Sequence, residues 1–261
     1  MKEKDRLNTR VGYAGWKDHR HFGYSVFKEL AGEVTSTGLI VLAATGRLMD
    51  EADCRVLDDI AAVLTVADPR IYPLKLVRLA SSYGDPLAGL SASVAAMQGA
   101  IVGPQISQNA AMWLMEVHSE LNGSFSDTEA VRKVVAEQFR KKNRISGFGV
   151  PFRDVDERAV ALYELAAFRG RTAGEYWRLQ ETVARIAREI KGLACNVGLP
   201  VAALSLDMGL APERLSSLYT GLTMNVFLAN AVEGASQAPE ILRRLPETDV
   251  EYIGKPPREL S

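Results

Sequence analysis

Between Ser25 and Ala235 apolar residues recur every third or fourth position, and no segment shows the sustained two-residue alternation of a half-buried strand. A chain patterned this way over most of its length folds as packed helices. In Asp50 to Leu64, for example, Cys54, Leu57, Ile60, Ala61 and Leu64 fall on one stripe, with Asp50 placed to cap the first free amides. Pro73 to Tyr83 repeats the pattern, with the proline in the first turn, where its missing N–H costs least. Leu87 to Gln98 is rich in Ala and Ser and carries no charge, which predicts burial on more than one face or a place at a subunit interface. Ser107 to Leu121 and Thr128 to Arg140 follow, the latter capped by Ser126 or Asp127. A helix beginning at Asp154 or Asp156 ends near Gly170, and another runs from Gly174 to Ile190 until Gly192 stops it. Two more, Val201 to Met208 and Pro212 to Glu233, lead into a polar tail with Pro246, Pro256 and Pro257. The expectation is an all-α protein of about ten helices without internal repeats.

Composition narrows the function classes. A chain of 261 residues with 31 basic and 32 acidic side chains has a formal net charge of -1, so no basic field argues for nucleic acid. The longest apolar run, Leu39 to Ala44, is far short of the roughly 20 residues that span a bilayer, so no membrane partner is expected. The start, Met1 to Arg6, is charged and lacks a signal-peptide core, which leads to the expectation of a cytoplasmic protein. Cys54 and Cys195 are too few for a disulfide framework and are expected as reduced thiols. The histidines, His19, His21 and His118, have no cysteine or carboxylate set to complete a metal shell, so no metal is expected.

Several short stretches, taken in order, carry a resemblance. Gly147-Phe-Gly149 with Asp156-Glu-Arg158 is similar to a Gly-Phe-Gly-His-Arg loop followed by Asp-Pro-Arg. Gly99-Ala-Ile-Val-Gly103 is similar to Gly-Pro-Leu-His-Gly-Gly-Ala, and Asn196-Val-Gly198 to Asn-Val-Asp. Phe22-Gly-Tyr24 is similar to an Arg-Gly-Tyr entry, and Tyr252-Ile-Gly254 to Arg258 to a terminal Tyr-x-Gly-x-x-x-Arg. Each match alone is weak, but their shared order over residues 20 to 258 resembles the citrate synthase family, and most closely its compact citryl-CoA lyase-like branch. The resemblance implies an all-α, citrate synthase-like fold with a large helical lobe, residues 1–105 and 207–261, and a smaller inserted lobe, 106–206. It further implies a homodimer, a cleft between the lobes that closes on an acyl-CoA, and carbon–carbon bond chemistry through an enol.

That chemistry needs a base for the thioester α-proton and donors for the enolate and for the second carbonyl. The family uses an Asp and two His. Matched position by position, the Asp falls at Gly198 and the two His at Val102 and Val150. The Arg residues that clamp substrate carboxylates fall at Phe22, Pro151 and Thr223, and a further His falls in Asp68-Pro-Arg70. A polycarboxylate buried among such residues would lack partners at a cost of several kcal/mol. A working citrate synthase or citryl-CoA lyase is therefore not expected.

The CoA side offers Lys141, Lys142, Arg144, Arg153 and Arg158 as phosphate candidates, although basic residues at a helix end are also ordinary dipole partners. Gln105, Ser107, Gln108, Asn109 and Asn196 could hold a carbonyl or a water, or simply satisfy loops and caps. Asp207 reads as a surface residue and His118 as a packed helix residue. Two functions remain: a repurposed enzyme handling an acyl thioester or a less polar substrate with no required cofactor, or a non-catalytic partner of an active citrate synthase-like paralogue. A CoA-ester sensor is a third.

Overall fold

The computed structural model describes residues 7–97, 103–142, 144–150, 153–237, 246–249, 251–254 and 256. Eleven helices among the described residues make up nearly all of the regular structure: α1 Ser36–Thr45, α2 Glu51–Val63, α3 Tyr72–Tyr83, α4 Pro86–Ala96, α5 Gln105–Leu121, α6 Thr128–Lys141, α7 Glu157–Phe168, α8 Glu175–Lys191, α9 Gly198–Asp207, α10 Pro212–Leu222 and α11 Met224–Ala235. None of the described helices is long and apolar enough to cross a membrane.

Local chemistry explains most boundaries. Asp50 accepts from the Asp53 amide at 2.7 Å to open α2. Asp127 accepts from Glu129 and Ala130 to open α6. Gly192 closes α8 at φ 66°, a left-handed position that costs other residues about 1 kcal/mol or more.

Three features differ from the pattern-based expectation. An antiparallel sheet of β1 Gly12–Ala14, β2 His19–His21 and β3 Tyr24–Ser25 precedes the helices, too short and too polar to show alternation. The expected helix from Pro212 to Glu233 is broken at Thr223, whose hydroxyl bonds back to the Tyr219 carbonyl at 2.7 Å, a competition with the helix ladder that bends or ends it. Finally, of the two alternatives for α4, burial on more than one face is not found: Gly89, Ser93 and Ala96 are covered, while Leu87 and Val94 are 68% and 44% exposed.

The chain forms two compact units, residues 1–67 with 94–226 and residues 68–93 with 227–261. In the first unit α5 lies centrally, packed on α6, α8, α9 and α10, while α9 also meets α7 and α8. Trp177, Leu114, Leu162, Ile186, Leu199 and Tyr219 are almost fully buried in its core. In the second unit Arg78 of α3 donates to Asn230 Oδ1 at 2.8 Å and pairs with Glu233, tying α3 to the end of α11.

Candidate functional site

The site grows from the segment between α6 and α7. Gly147 and Gly149 sit at φ 95° and 89°, outside the range open to ordinary side chains. A Cβ on Gly147 would also press on Leu199 at 3.1 Å and Ala110 at 3.4 Å, so glycine permits both the turn and the close approach. Between them Phe148 is buried, its ring 5.5 Å from Trp113 and 5.3 Å from Phe139 in edge-to-face contacts. The loop is thus anchored by an aromatic residue and turned by its two glycines.

A second segment clasps it from behind. Phe148 and Cys195 form a β-bridge, the Gly149 amide donates to the Ala194 carbonyl at 2.8 Å, and the Asn196 amide donates to the Gly147 carbonyl at 2.9 Å. Asn196 then uses both ends of its side chain. Its Nδ2 donates to the Gly149 carbonyl at 3.2 Å, and its Oδ1 accepts from the Gly198 amide at 3.0 Å, satisfying a free amide at the start of α9. Asn196 is therefore a strut between loop and helix.

Asp156 provides the other brace. Its carboxylate accepts from the Arg158 amide at 3.1 Å, from Arg158 Nε and Nη2 at 2.9 Å each, and from the Val197 amide at 2.9 Å. Burial pushes this carboxyl's pKa up, but the Arg158 guanidinium and the Val197 amide outweigh it and hold it below the usual value. Arg158 is thereby committed to structure.

Gly198 opens α9 and has no spare room. A Cβ there would lie 2.7 Å from Ile106 Cγ2 and 3.0 Å from Asn196 Oδ1. Ile106, in the first turn of α5, occupies the space that a carboxylate side chain would need. Its neighbours are the expected polar candidates: Gln105 donates to Asn109 Oδ1 at 3.3 Å, Gln108 is half-buried, and Ser107 is 5% exposed. The start of α5, the start of α9 and the Gly147–Gly149 loop thus come together. Val102 and Pro151 lie outside the described residues.

The basic candidates already hold carboxylates. Lys141 pairs with Glu137 at 3.1 Å, Lys142 with Glu116 at 2.5 Å, and Arg153 with Glu157. Arg144 is exposed. Apart from the buried Asp156–Arg158 pair, these are solvated pairs worth about 0–1 kcal/mol, so an incoming phosphate could exchange them.

Phe22 and Thr223 are placed elsewhere. Phe22 adopts φ 48° in the turn between β2 and β3 and packs edge-on to His21 with ring centroids 5.0 Å apart. Thr223 is buried at the α10–α11 break. His118 stacks on Phe125 at 4.1 Å and lies 3.2 Å from Glu175 Oε1. Asp207 is at the surface as expected, yet it accepts from the Tyr176 and Trp177 amides at 2.9 Å each and so caps α8. Cys54 and Cys195 are free thiols, and no His, Cys, Asp and Glu cluster able to hold a metal occurs among the described residues.

Two residues of consequence escaped the sequence reading. Ile106 was hidden among polar neighbours that drew attention as ligands. Asp156 was legible as a helix cap, but nothing local signals that it also reaches the Val197 amide.

The profile of the citrate synthase C-terminal domain matches residues 76–243. A search of curated protein sequences finds no match. Among solved structures, citryl-CoA lyase from Hydrogenobacter thermophilus is similar with a TM-score of 0.81 and 24% identity, over 98% of this chain and 97% of that one. ATP citrate lyase from Methanothrix soehngenii, in complex with citrate and coenzyme A, gives 0.76 and 15% identity, over 98% of this chain and 43% of that one. Citrate synthase from Thermotoga maritima MSB8 gives 0.62 and 19% identity, over 82% and 56%.

Proposed function

The chain belongs to the citrate synthase family, and from that premise we propose that it is a divergent member whose cleft handles an acyl thioester, or another substrate less polar than citrate, without the family's acid–base set. The observation that carries this reading is the closed position at Gly198, where Ile106 and Asn196 leave no room for a carboxylate. Val150 at the loop supports it, because a valine neither donates a hydrogen bond nor takes a proton. The enzyme of this reading works by positioning a reactive thioester instead of enolising it. Its cleft lies between lobes 1–105 with 207–261 and 106–206. It needs no cofactor beyond the thioester and works in the cytoplasm as a homodimer.

Three measurements test this together. Incubation with acetyl-CoA in heavy water is expected to give no enzyme-dependent exchange of the acetyl protons, and citryl-CoA is expected to remain uncleaved. Calorimetric titration with acyl-CoA esters is expected to give saturable binding. Catalysed exchange or cleavage would overturn the reading.

One observation favours a second reading, a non-catalytic partner of an active citrate synthase-like paralogue. Arg158, one of the phosphate candidates, is committed to the buried carboxylate of Asp156. Absence of acyl-CoA binding, together with co-assembly with such a paralogue, would decide for it.

A further inference from the structure

Behind the Gly147–Gly149 loop lies a pocket of about 210 Å³, lined by Asp154 to Asp156, Ala159, Val160 and Tyr163 on the α7 side, Ala184 and Arg188 of α8, and Leu193 to Cys195. Its walls are held in place by hydrogen bonds. Arg188 Nη1 donates to the Asp154 carbonyl at 3.0 Å, fixing the approach to α7 against α8. Asp156 fixes the same approach to the Val197 amide at 2.9 Å, and Ala194 and Asn196 are fixed to the loop as described.

Among the described residues no side chain fills the pocket, the condition for a preformed ligand site. Its surface is aliphatic except for the Tyr163 ring and the Cys195 thiol. At the mouth Val155 and Val160 stay 53% and 46% exposed, an apolar lip beside an open space. The polar groups are occupied. Tyr163 donates its hydroxyl to Gln180 Oε1 at 2.7 Å, Asp156 is held by Arg158, and Arg188 donates to the Asp154 carbonyl. Burial raises the Cys195 thiol above its ordinary pKa, so it stays neutral.

We propose that this pocket binds a small uncharged apolar molecule, of about the size of one or two fused aromatic rings, and that its occupancy stiffens the Gly147–Gly149 loop through Leu193–Asn196. The size follows from comparison with cavities of about 150 Å³, which accommodate benzene. The coupling follows from connectivity, because Ala194 and Cys195 line the pocket and also hold the loop with their backbone. The inference does not rest on the function proposed above.

Indole serves as the probe and hexanoate as its charged comparator. In the full chain, indole titrated by amide NMR is expected to shift residues 154–163 and 193–195 saturably and to slow hydrogen exchange at the Gly149 amide, with hexanoate weaker. Indole should also slow alkylation of Cys195, followed by peptide mass spectrometry, with the buried Cys54 as internal reference. Val160→Phe at the lip and Ala184→Leu in the wall should each lower indole affinity at least tenfold while the far-ultraviolet circular dichroism is unchanged. Shifts confined to other surfaces, equal affinity in both folded variants, or tighter binding of hexanoate would overturn the proposal. Should neither variant fold, absence of Cys195 protection in the unaltered protein would overturn it equally.

Discussion

Gly198 is the position at which the proposed function can be probed with a single carboxylate. A carboxylate placed there meets Ile106 Cγ2 from its first carbon onward, and overpacking of that kind costs about 1–3 kcal/mol before the charge is desolvated. We expect Gly198→Asp to destabilise the protein by about 3 kcal/mol in urea unfolding. Adding Ile106→Ala should recover at least about 1 kcal/mol of that, a coupling expected only between residues that contest the same space. Strict additivity would show that the two do not. A second residue-scale test concerns Asp156. Its folded pKa is depressed, so its contribution is full above the unfolded carboxyl value of about 3.9 and is lost as pH falls through the lower folded value. Asp156→Asn is expected to cost about 2 kcal/mol at pH 7, the scale of hydrogen bonds to a charged group. It should also flatten the acid side of the stability curve below about pH 4. An acid limb as steep as that of the parent protein would contradict the assignment.

The clasp between the loop and α9 behaves as one element because Asn196 bonds to both. Asn196→Ala removes the bond to the Gly149 carbonyl and the acceptor for the Gly198 amide, about 1–2 kcal/mol in all. The loss should be local. Hydrogen exchange at Gly149 and Gly198 should rise while the α5 amides keep the protection of the core, whereas uniform acceleration would mean the strut serves global stability. This element also shows where sequence reading succeeds and where it stops. The glycines of the loop and the caps at Asp50, Asp127, Asp156 and Gly192 were legible because each answers a demand of its own backbone within a few residues. The break at Thr223 was not, since an apolar period running through it outweighs one hydroxyl. The strands β1 to β3 were not either, because two- and three-residue strands such as His19–His21 rest on ladder hydrogen bonds and show no buried alternating face. The contact of Ile106 with Gly198 joins distant parts of the chain and has no local trace. Position matching therefore gave an expectation about Gly198, and only the fold showed that Ile106 and Asn196 adjoin it.

At the scale of the whole molecule, α4 presents a stripe that is exposed among the described residues. Leu87, Ala88, Ser91, Val94 and Ala95 share one face, all are exposed, and α4 carries no charge along its length. A solvated helix face ordinarily carries charged or strongly polar residues, and an apolar one of this length marks an interface. The small side chains at positions 88, 91 and 95 allow a second helix to approach closely, with Leu87 and Val94 as the larger contacts. This fits the homodimer proposed above, because a two-fold interface must be complementary to itself and a stripe of small and medium apolar groups can pack against its own copy. Sedimentation velocity is expected to show a dimer. Leu87→Asp should convert it to a monomer with unchanged helix content, since the Leu87 side chain is 68% exposed and takes little part in the chain's own packing. Introducing two facing carboxylates at such an interface costs several kcal/mol through desolvation and repulsion, enough to shift dissociation by orders of magnitude. A dimer that survives this substitution would place the interface on another face, and a parent protein that sediments as a monomer would remove the homodimer from the proposed function altogether.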